Sequence, residues 1–244
     1  MQRKFGMPVG HTFHKDTAEE KAGHSVEVEI KLNVKPAIVG GPIMLFTKLT
    51  MQPQLAGFPL GDITKHEIMD MYYDTPDGAL AKAGAGLRSR IQDGVPYLTL
   101  KINRYRDGSL TGREEFEEVL TQERVDWIMS HVRDIVGEGP FSAEDFHAGK
   151  PTGGLAPILI VGTARLIRPI GEVAELTLDM IEYPGLAASP FFDVEVESKS
   201  GKMGERILRA VETELYNLAG GNLAPATLSK LERGLKLKEK AGVR

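Results

Sequence analysis

The 244-residue chain contains no cysteine. That absence removes disulfides, thiolate metal sites and cysteine nucleophiles together, and leaves oxygen ligands or the six histidines for any metal ion. Long apolar runs are missing too. No stretch approaches the roughly 20 residues a membrane-spanning helix needs, and residues 1 to 24 lack the apolar run of a secretory signal. The expectation is a cytoplasmic protein with no membrane partner. Charge of one sign is scarce: the formal net charge of -4 argues against a general polyanion-binding surface and against nucleic acid as a partner. Any phosphate site must therefore be local. There is also no phosphate-cradling glycine loop. Gly84-Ala85-Gly86 runs into Leu87-Arg88-Ser89 and reads as a turn before a strand.

What the chain does contain is alternation. Val26 to Leu32 reads Val-Glu-Val-Glu-Ile-Lys-Leu, which places Glu27, Glu29 and Lys31 on one face of a strand and the aliphatic residues on the other. Phe192 to Lys199 repeats the arrangement with Asp193, Glu195, Glu197 and Lys199. Further strands are predicted at 66–74, 86–92, 97–104, 112–120, 158–167 and 173–181, so that with 26–32 and 191–199 there are about eight. A short helix is expected from Gly41 to Leu49. Another follows Thr121 as N-cap, with Val125, Ile128, Met129, Val132, Ile135 and Val136 at helical spacing. A third runs from about Gly201 to Leu218, stopped by Gly220-Gly221, and a fourth from Ala226 to about Lys240. Residues 1–24, with His11 and His14, read as a flexible lead-in rather than a His-x-x-His metal site; residues 25–244 form one domain, and 137–154 read as a loop.

The same parity test groups Arg88 with Arg90, Thr99 with Lys101, Arg113 with Glu115 and Glu117, Thr163 with Arg165, and Glu175 with Thr177 and Asp179. One such strand is ordinarily a solvated sheet face. Repeated over a whole sheet, outward charges would put the apolar faces inside and leave the amphipathic helices nothing to cover. The expected fold is therefore α+β: an eight-stranded antiparallel β-barrel, a tunnel with a charged lumen, flanked by helices that cover its apolar outer wall. Buried charge on this scale is tolerable only if the groups neutralise one another and hold ions. Arginine and lysine donate charge-assisted hydrogen bonds to phosphate oxygens, and the carboxylates call for a divalent cation, Mg2+ or Mn2+, between themselves and phosphate.

These residues, in order, resemble the CYTH superfamily of triphosphate tunnel metalloenzymes. The matching pieces are Glu27-x-Glu29-x-Lys31, Tyr72-Tyr73-Asp74-Thr75-Pro76, Leu87-Arg88-x-Arg90, Leu98-Thr99-Leu100-Lys101, Arg113-x-Glu115-x-Glu117, Asp179, Glu195-x-Glu197-x-Lys199 and Ser229-Lys230-x-Glu232-Arg233. The resemblance implies a metal-dependent hydrolase or cyclase acting on a small-molecule triphosphate. It implies Lys31, Arg88, Arg90, Lys101, Arg113, Arg165 and Lys230 as phosphate binders, with Lys199 either joining them or pairing within the lumen. Glu27, Glu29, Asp179, Glu195 and Glu197 are implied as metal ligands or water positioners, and Glu115 and Glu117 in either role. Glu27, Glu29, Lys31 and Lys230 are the implied catalytic set. Arg168 is an alternative to Arg165, Tyr72 to Pro76 read as structural, and Trp127 reads as a helix-packing residue. The expected activity is hydrolysis of inorganic tripolyphosphate; a class IV adenylyl cyclase, a thiamine or nucleoside triphosphatase and a non-catalytic phosphate-chain-binding module are the alternatives. The 33–65 and 137–154 segments, long for a compact member, are expected to shape substrate choice.

Overall fold

The computed structural model describes residues 24–36, 40–137, 154–199 and 204–243. The expected lead-in, with His11 and His14, and the loop residues 138–153 lie outside the described residues. In chain order the elements are β1 (His24–Val34), α1 (Gly41–Thr50), β2 (Gln54–Leu55), β3 (Phe58–Pro59), β4 (Thr64–Asp74), α2 (Ala79–Lys82), β5 (Ala85–Gln92), β6 (Val95–Asp107), β7 (Leu110–Val119) and α3 (Gln122–Val136). After the undescribed segment come β8 (Ala156–Ile170), β9 (Ala174–Glu182), β10 (Phe191–Ser198), α4 (Gly204–Ala219), β11 (Leu223–Pro225) and α5 (Lys230–Ala241).

The eight long strands run in the order β10-β9-β8-β4-β5-β6-β7-β1, every pair antiparallel, and β1 pairs back onto β10 to close the barrel. Closure removes the unpaired sheet edges and separates an inside from an outside, so the period-2 alternation of each strand becomes a choice of solvent. Ile30, Leu32, Leu176, Val194 and Val196 go outward, where α1 and α4 cover them with Leu45, Leu49, Leu208, Val211 and Leu215. On the opposite flank α2 and α3 cover Leu87, Leu98, Leu100 and Phe116 with Leu80, Val125, Ile128 and Val132. Trp127 belongs to α3 and stacks edge-on against Phe116, a packing role as expected.

Two features differ from the simple picture of a charged inside and a covered outside. First, the outer wall is covered only in part: Met69 on β4, Ile91 on β5 and Ile160 on β8 are exposed. Second, one end of the interior is apolar. Leu159 and Val161, which share the inward parity of Arg165, gather with Tyr72, Ile181, Tyr183 and Leu231 into a buried cluster. Helix α5 supplies Leu231 to that cluster and thereby closes part of this end.

The start of α5 also corrects the expectation of a helix from Ala226. Residues Leu223 to Pro225 instead pair with β1 as β11, and the helix begins four residues later at a full capping box, Ser229 and Glu232 each satisfying the other's backbone N–H. Thr121 does sit before α3 in an extended conformation, but its hydroxyl makes no capping bond. Gly234 is what lets α5 approach the barrel: a Cβ there would stand 2.3 Å from Leu159 and 2.9 Å from Tyr183. Gly234→Ala is therefore expected to destabilise the protein by about 1–3 kcal/mol through overpacking, read as a lowered midpoint in chemical denaturation. An unchanged midpoint would mean that the helix does not lie this close.

Candidate functional site

The inward residues enclose a cavity of about 280 Å³. Each cationic side chain on its wall is placed by a strand or by the plug helix: Lys31 by β1, Arg88 and Arg90 by β5, Lys101 by β6, Arg113 by β7, Arg165 by β8 and Lys230 by the first turn of α5. The carboxylates facing them come from β1 (Glu27, Glu29), β7 (Glu115, Glu117) and β10 (Glu195, Glu197). Antiparallel register sets their heights. Glu29 stands opposite Glu197, Lys31 opposite Glu195, and Glu27 opposite Arg113.

The groups neutralise one another in pairs. Lys101 donates to Glu27 at 2.8 Å and lies 3.1 Å from Glu115. Arg113 pairs with Glu29, and Lys31 with Glu195. Arg165 donates two hydrogen bonds to Asp179, at 2.8 and 2.7 Å, and Lys230 a third at 2.6 Å while standing 3.6 Å from Glu195. Asp179 is thus wholly buried behind Arg165 and Lys230 and does not line the cavity. Glu117 accepts from Thr99 at 2.7 Å and lies 3.7 Å from Arg88. Among the described residues that line the cavity, two donors have no partner: the Nε atoms of Arg88 and Arg113 are buried and unbonded. Leaving such a group unmet costs about 1–3 kcal/mol or more when it is charged, so these atoms mark where an anion is wanted.

Two expected residues fall elsewhere. Lys199 is exposed and paired with Glu175, off the cavity wall. Arg168 cannot replace Arg165, because it donates to the carbonyls of Thr50, Gln52, Leu60 and Gly61 and so pins the β2–β3 connector to β8. Of Tyr72 to Pro76, Tyr72 lines the cavity, whereas Asp74 accepts backbone N–H bonds from Leu80 and Ala81 at the start of α2. Sequence reasoning missed Asp70, an inward residue of β4 that is 0% exposed and holds Arg88 and Arg90. The signal was available: residue 70 has the parity of Tyr72 in a strand already recognised.

Burial opposes ionisation throughout, and the neighbours decide the outcome. For Glu27, Lys101 and Arg113 outweigh burial and hold the carboxyl at about 2. Glu195 lies well below the usual range because Lys230, Lys31 and Arg165 overcome its burial. Burial instead pushes the Lys230 ammonium down and the Glu29 carboxyl up. Glu197 moves the other way from Glu27 and Glu195. Although one side of the residue is open at the mouth, desolvation and then the charge of Glu27, with Glu115 and Glu29 adding, push its carboxyl up to about 8 from 4.5. An acid that binds its proton more tightly when folded stabilises the fold below its unfolded value and loses that contribution as pH rises toward the folded one. The metal-free protein should therefore lose thermal stability between about pH 5 and 8, and Glu197→Gln should flatten that slope in a melting series; parallel slopes would refute the assignment.

The CYTH domain family model matches residues 25–224. The chain belongs to the CYTH family. Among solved structures, this CYTH domain is similar to a Hippeastrum protein described as an adenylyl cyclase with a dominant triphosphatase activity, at 22% identity and a TM-score of 0.58 over 89% of this chain and 97% of that one. It is also similar to a Bacillus halodurans protein described as an adenylate cyclase, at 20% identity and 0.54 over 86% and 98%, and to the PH1819 protein of Pyrococcus horikoshii, at 21% and 0.53 over 85% and 98%. At these identities the likeness is one of fold. None of the curated proteins compared with the chain matches it. No helix among the described residues is long and apolar enough to cross a membrane.

Proposed function

We propose that this CYTH domain is a divalent-metal-dependent triphosphatase whose preferred substrate is inorganic tripolyphosphate, hydrolysed to pyrophosphate and phosphate. The observation that carries the reading is the convergence of Lys31, Arg88, Arg90, Lys101, Arg113, Arg165 and Lys230 on one small cavity, with two guanidinium donors left unbonded. A chain of linked phosphates offers negative groups to several walls at once; a single carboxylate does not.

The donor set fits a hard divalent cation. Glu27, Glu29 and Glu197, with Glu115, Glu117 and Glu195 near them, present only carboxylate oxygens, the ligands that Mg2+ and Mn2+ favour. Burial first, and neighbouring carboxylate charge after it, raise the carboxyls of Glu29 and Glu197, and a divalent cation beside them would favour their ionised forms. Among the described residues no three acidic groups form a ready-made cage. The reason is visible in the pairing: Lys101 and Arg113 already occupy Glu27 and Glu29. Glu27 and Glu29 would hold the cation only once Lys101 and Arg113 had turned from them to phosphate, so binding of metal and of phosphate would be coupled as an exchange of partners. The bound cation supplies charge neutralisation at the phosphate oxygens and acidifies water. Lys31, Arg88, Arg113 and Lys230 bind and orient the phosphate chain in line for attack and stabilise charge on the leaving pyrophosphate. Glu197, at the mouth and outside the ion pairs, accepts a hydrogen bond from the attacking water and orients it.

The same relatives carry cyclase and triphosphatase descriptions, and the lumen chemistry serves both. A cyclase must also grip adenine. Among the described lining residues Tyr72 is the one aromatic side chain, and it is buried with Leu159 and Leu231. Turnover of tripolyphosphate is therefore expected to exceed that of ATP by at least ~10-fold in kcat/KM, about 1.4 kcal/mol of transition-state preference. Phosphate release from tripolyphosphate, ATP and thiamine triphosphate with Mg2+ or Mn2+, followed by product chromatography, tests this. Cyclic AMP and pyrophosphate as the main products from ATP would overturn the hydrolase reading.

A further inference from the structure

Asp70 lies behind the cavity wall. It takes no place in the lining, yet both of its carboxylate oxygens are committed to side chains that do. Arg90 donates Nε to Oδ1 at 2.8 Å and Nη2 to Oδ2 at 3.0 Å, and Arg88 donates Nη1 to Oδ2 at 3.3 Å. Register explains the convergence: Asp70 on β4 stands directly opposite Arg90 on β5, one inward position from the Tyr72–Arg88 pair. Arg88 and Arg90 are two like charges on one face of one strand, Cα atoms about 7 Å apart. Left alone in a buried lumen they would repel and swing apart. A fully buried carboxylate between them cancels the repulsion and fixes the plane of Arg90 by a two-pronged contact. It also divides their tasks. Arg90 has two donors occupied, whereas Arg88 spends one, leaving its Nε unbonded and its Nη2 only 3.7 Å and 4.0 Å from Glu117 and Glu115.

We propose that Asp70 is a positioning residue of the triphosphate site: it sets Arg88 and Arg90 in a fixed geometry before substrate arrives, so that Arg88 meets phosphate oxygens without reorganising. The inference rests on the triphosphate reading of the lumen and adds to it a residue that touches neither substrate nor metal. Burial works against ionisation of the Asp70 carboxyl, but the charge of Arg88 and the hydrogen bonds and charge of Arg90 outweigh it and hold the carboxyl well below the usual range, so the anchor persists across the working pH range. A group held in place by such a partner is preorganised, and loss of the partner is felt as lost affinity and turnover even though every phosphate ligand remains.

The test is tripolyphosphate binding by calorimetry together with steady-state kinetics, for the whole chain with Mg2+ present. Asp70→Asn keeps the shape and loses the charge. It is expected to melt cooperatively and to weaken tripolyphosphate affinity and kcat/KM by ~10–100-fold. In an Arg88→Gln/Arg90→Gln background the same change should have less than ~2-fold effect, because nothing is left to position. Full affinity in Asp70→Asn, or the same loss in both backgrounds, would overturn the proposal. If Asp70→Asn does not fold, Asp70→Glu keeps the charge but pushes the guanidinium groups by one methylene; at least ~5-fold weaker binding is expected and wild-type binding overturns the proposal. A wild-type chain that binds no tripolyphosphate would refute the triphosphate reading and this inference with it, whereas wild-type binding unaffected by the Asp70 variants refutes this inference alone.

Discussion

Chelation with excess EDTA is expected to abolish tripolyphosphate hydrolysis, by at least ~10³-fold, and added Mg2+ or Mn2+ to restore it. The size of the effect follows from the composition of the wall. Glu27, Glu29, Glu195 and Glu197 face the space that the phosphates must enter, and without an intervening cation they repel the substrate. The exchange of pairs gives a second readout. Tripolyphosphate alone must pull lysine and arginine from buried carboxylates, and metal alone must displace the same cations. Each ligand removes the obstacle to the other, so their joint shift in melting temperature should exceed the sum of the separate shifts. Full turnover in EDTA would sink the mechanism, and additive shifts would sink the exchange.

The second large effect is at Lys230. This ammonium lies on α5 rather than on the barrel and reaches Asp179 at 2.6 Å and Glu195 at 3.6 Å. Lys230→Ala should lower kcat/KM by ~10²–10³-fold, since it removes a cation from the phosphate site and leaves Glu195 and Asp179 with fewer partners in a buried wall. Lys199→Ala is the matched control. Lys199 also ends a Glu-x-Glu-x-Lys motif, but it is exposed, and its pair with Glu175 is worth about 0–1 kcal/mol, so its removal should change kcat/KM by less than ~3-fold. Equal losses in the two variants would mean that the lumen is not where the phosphates bind.

The two Glu-x-Glu-x-Lys motifs look equivalent in sequence and are not in space, and the difference shows what each level of description holds. Alternation along a strand is local, so the inward identity of Glu27, Glu29, Lys31, Arg88, Arg90, Lys101, Arg113, Glu195 and Glu197 was fixed by residue parity once one face had to be buried. The number of strands, the helices over the apolar flanks and the shortage of one-signed surface charge were legible for the same reason. Strand ends are less so: Lys199 sits one residue past β10, where parity no longer constrains the side chain, and it turns to Glu175 at the rim.

What tertiary structure alone decided is which charge meets which. Ion pairs such as Lys31 with Glu195, Arg113 with Glu29, and Asp70 with Arg88 and Arg90 join residues far apart in the chain through strand register and barrel closure, and no periodicity reports either. The apolar plug is of the same kind. Leu159, Val161 and Ile181 read as ordinary strand aliphatics, and only the arrival of α5, seated through Gly234, makes part of the lumen dry and delivers Lys230 to the rest. Parity is a property of one strand and was written in the sequence; partnership across a closed barrel depends on where every other strand lies, and came into being only with the fold.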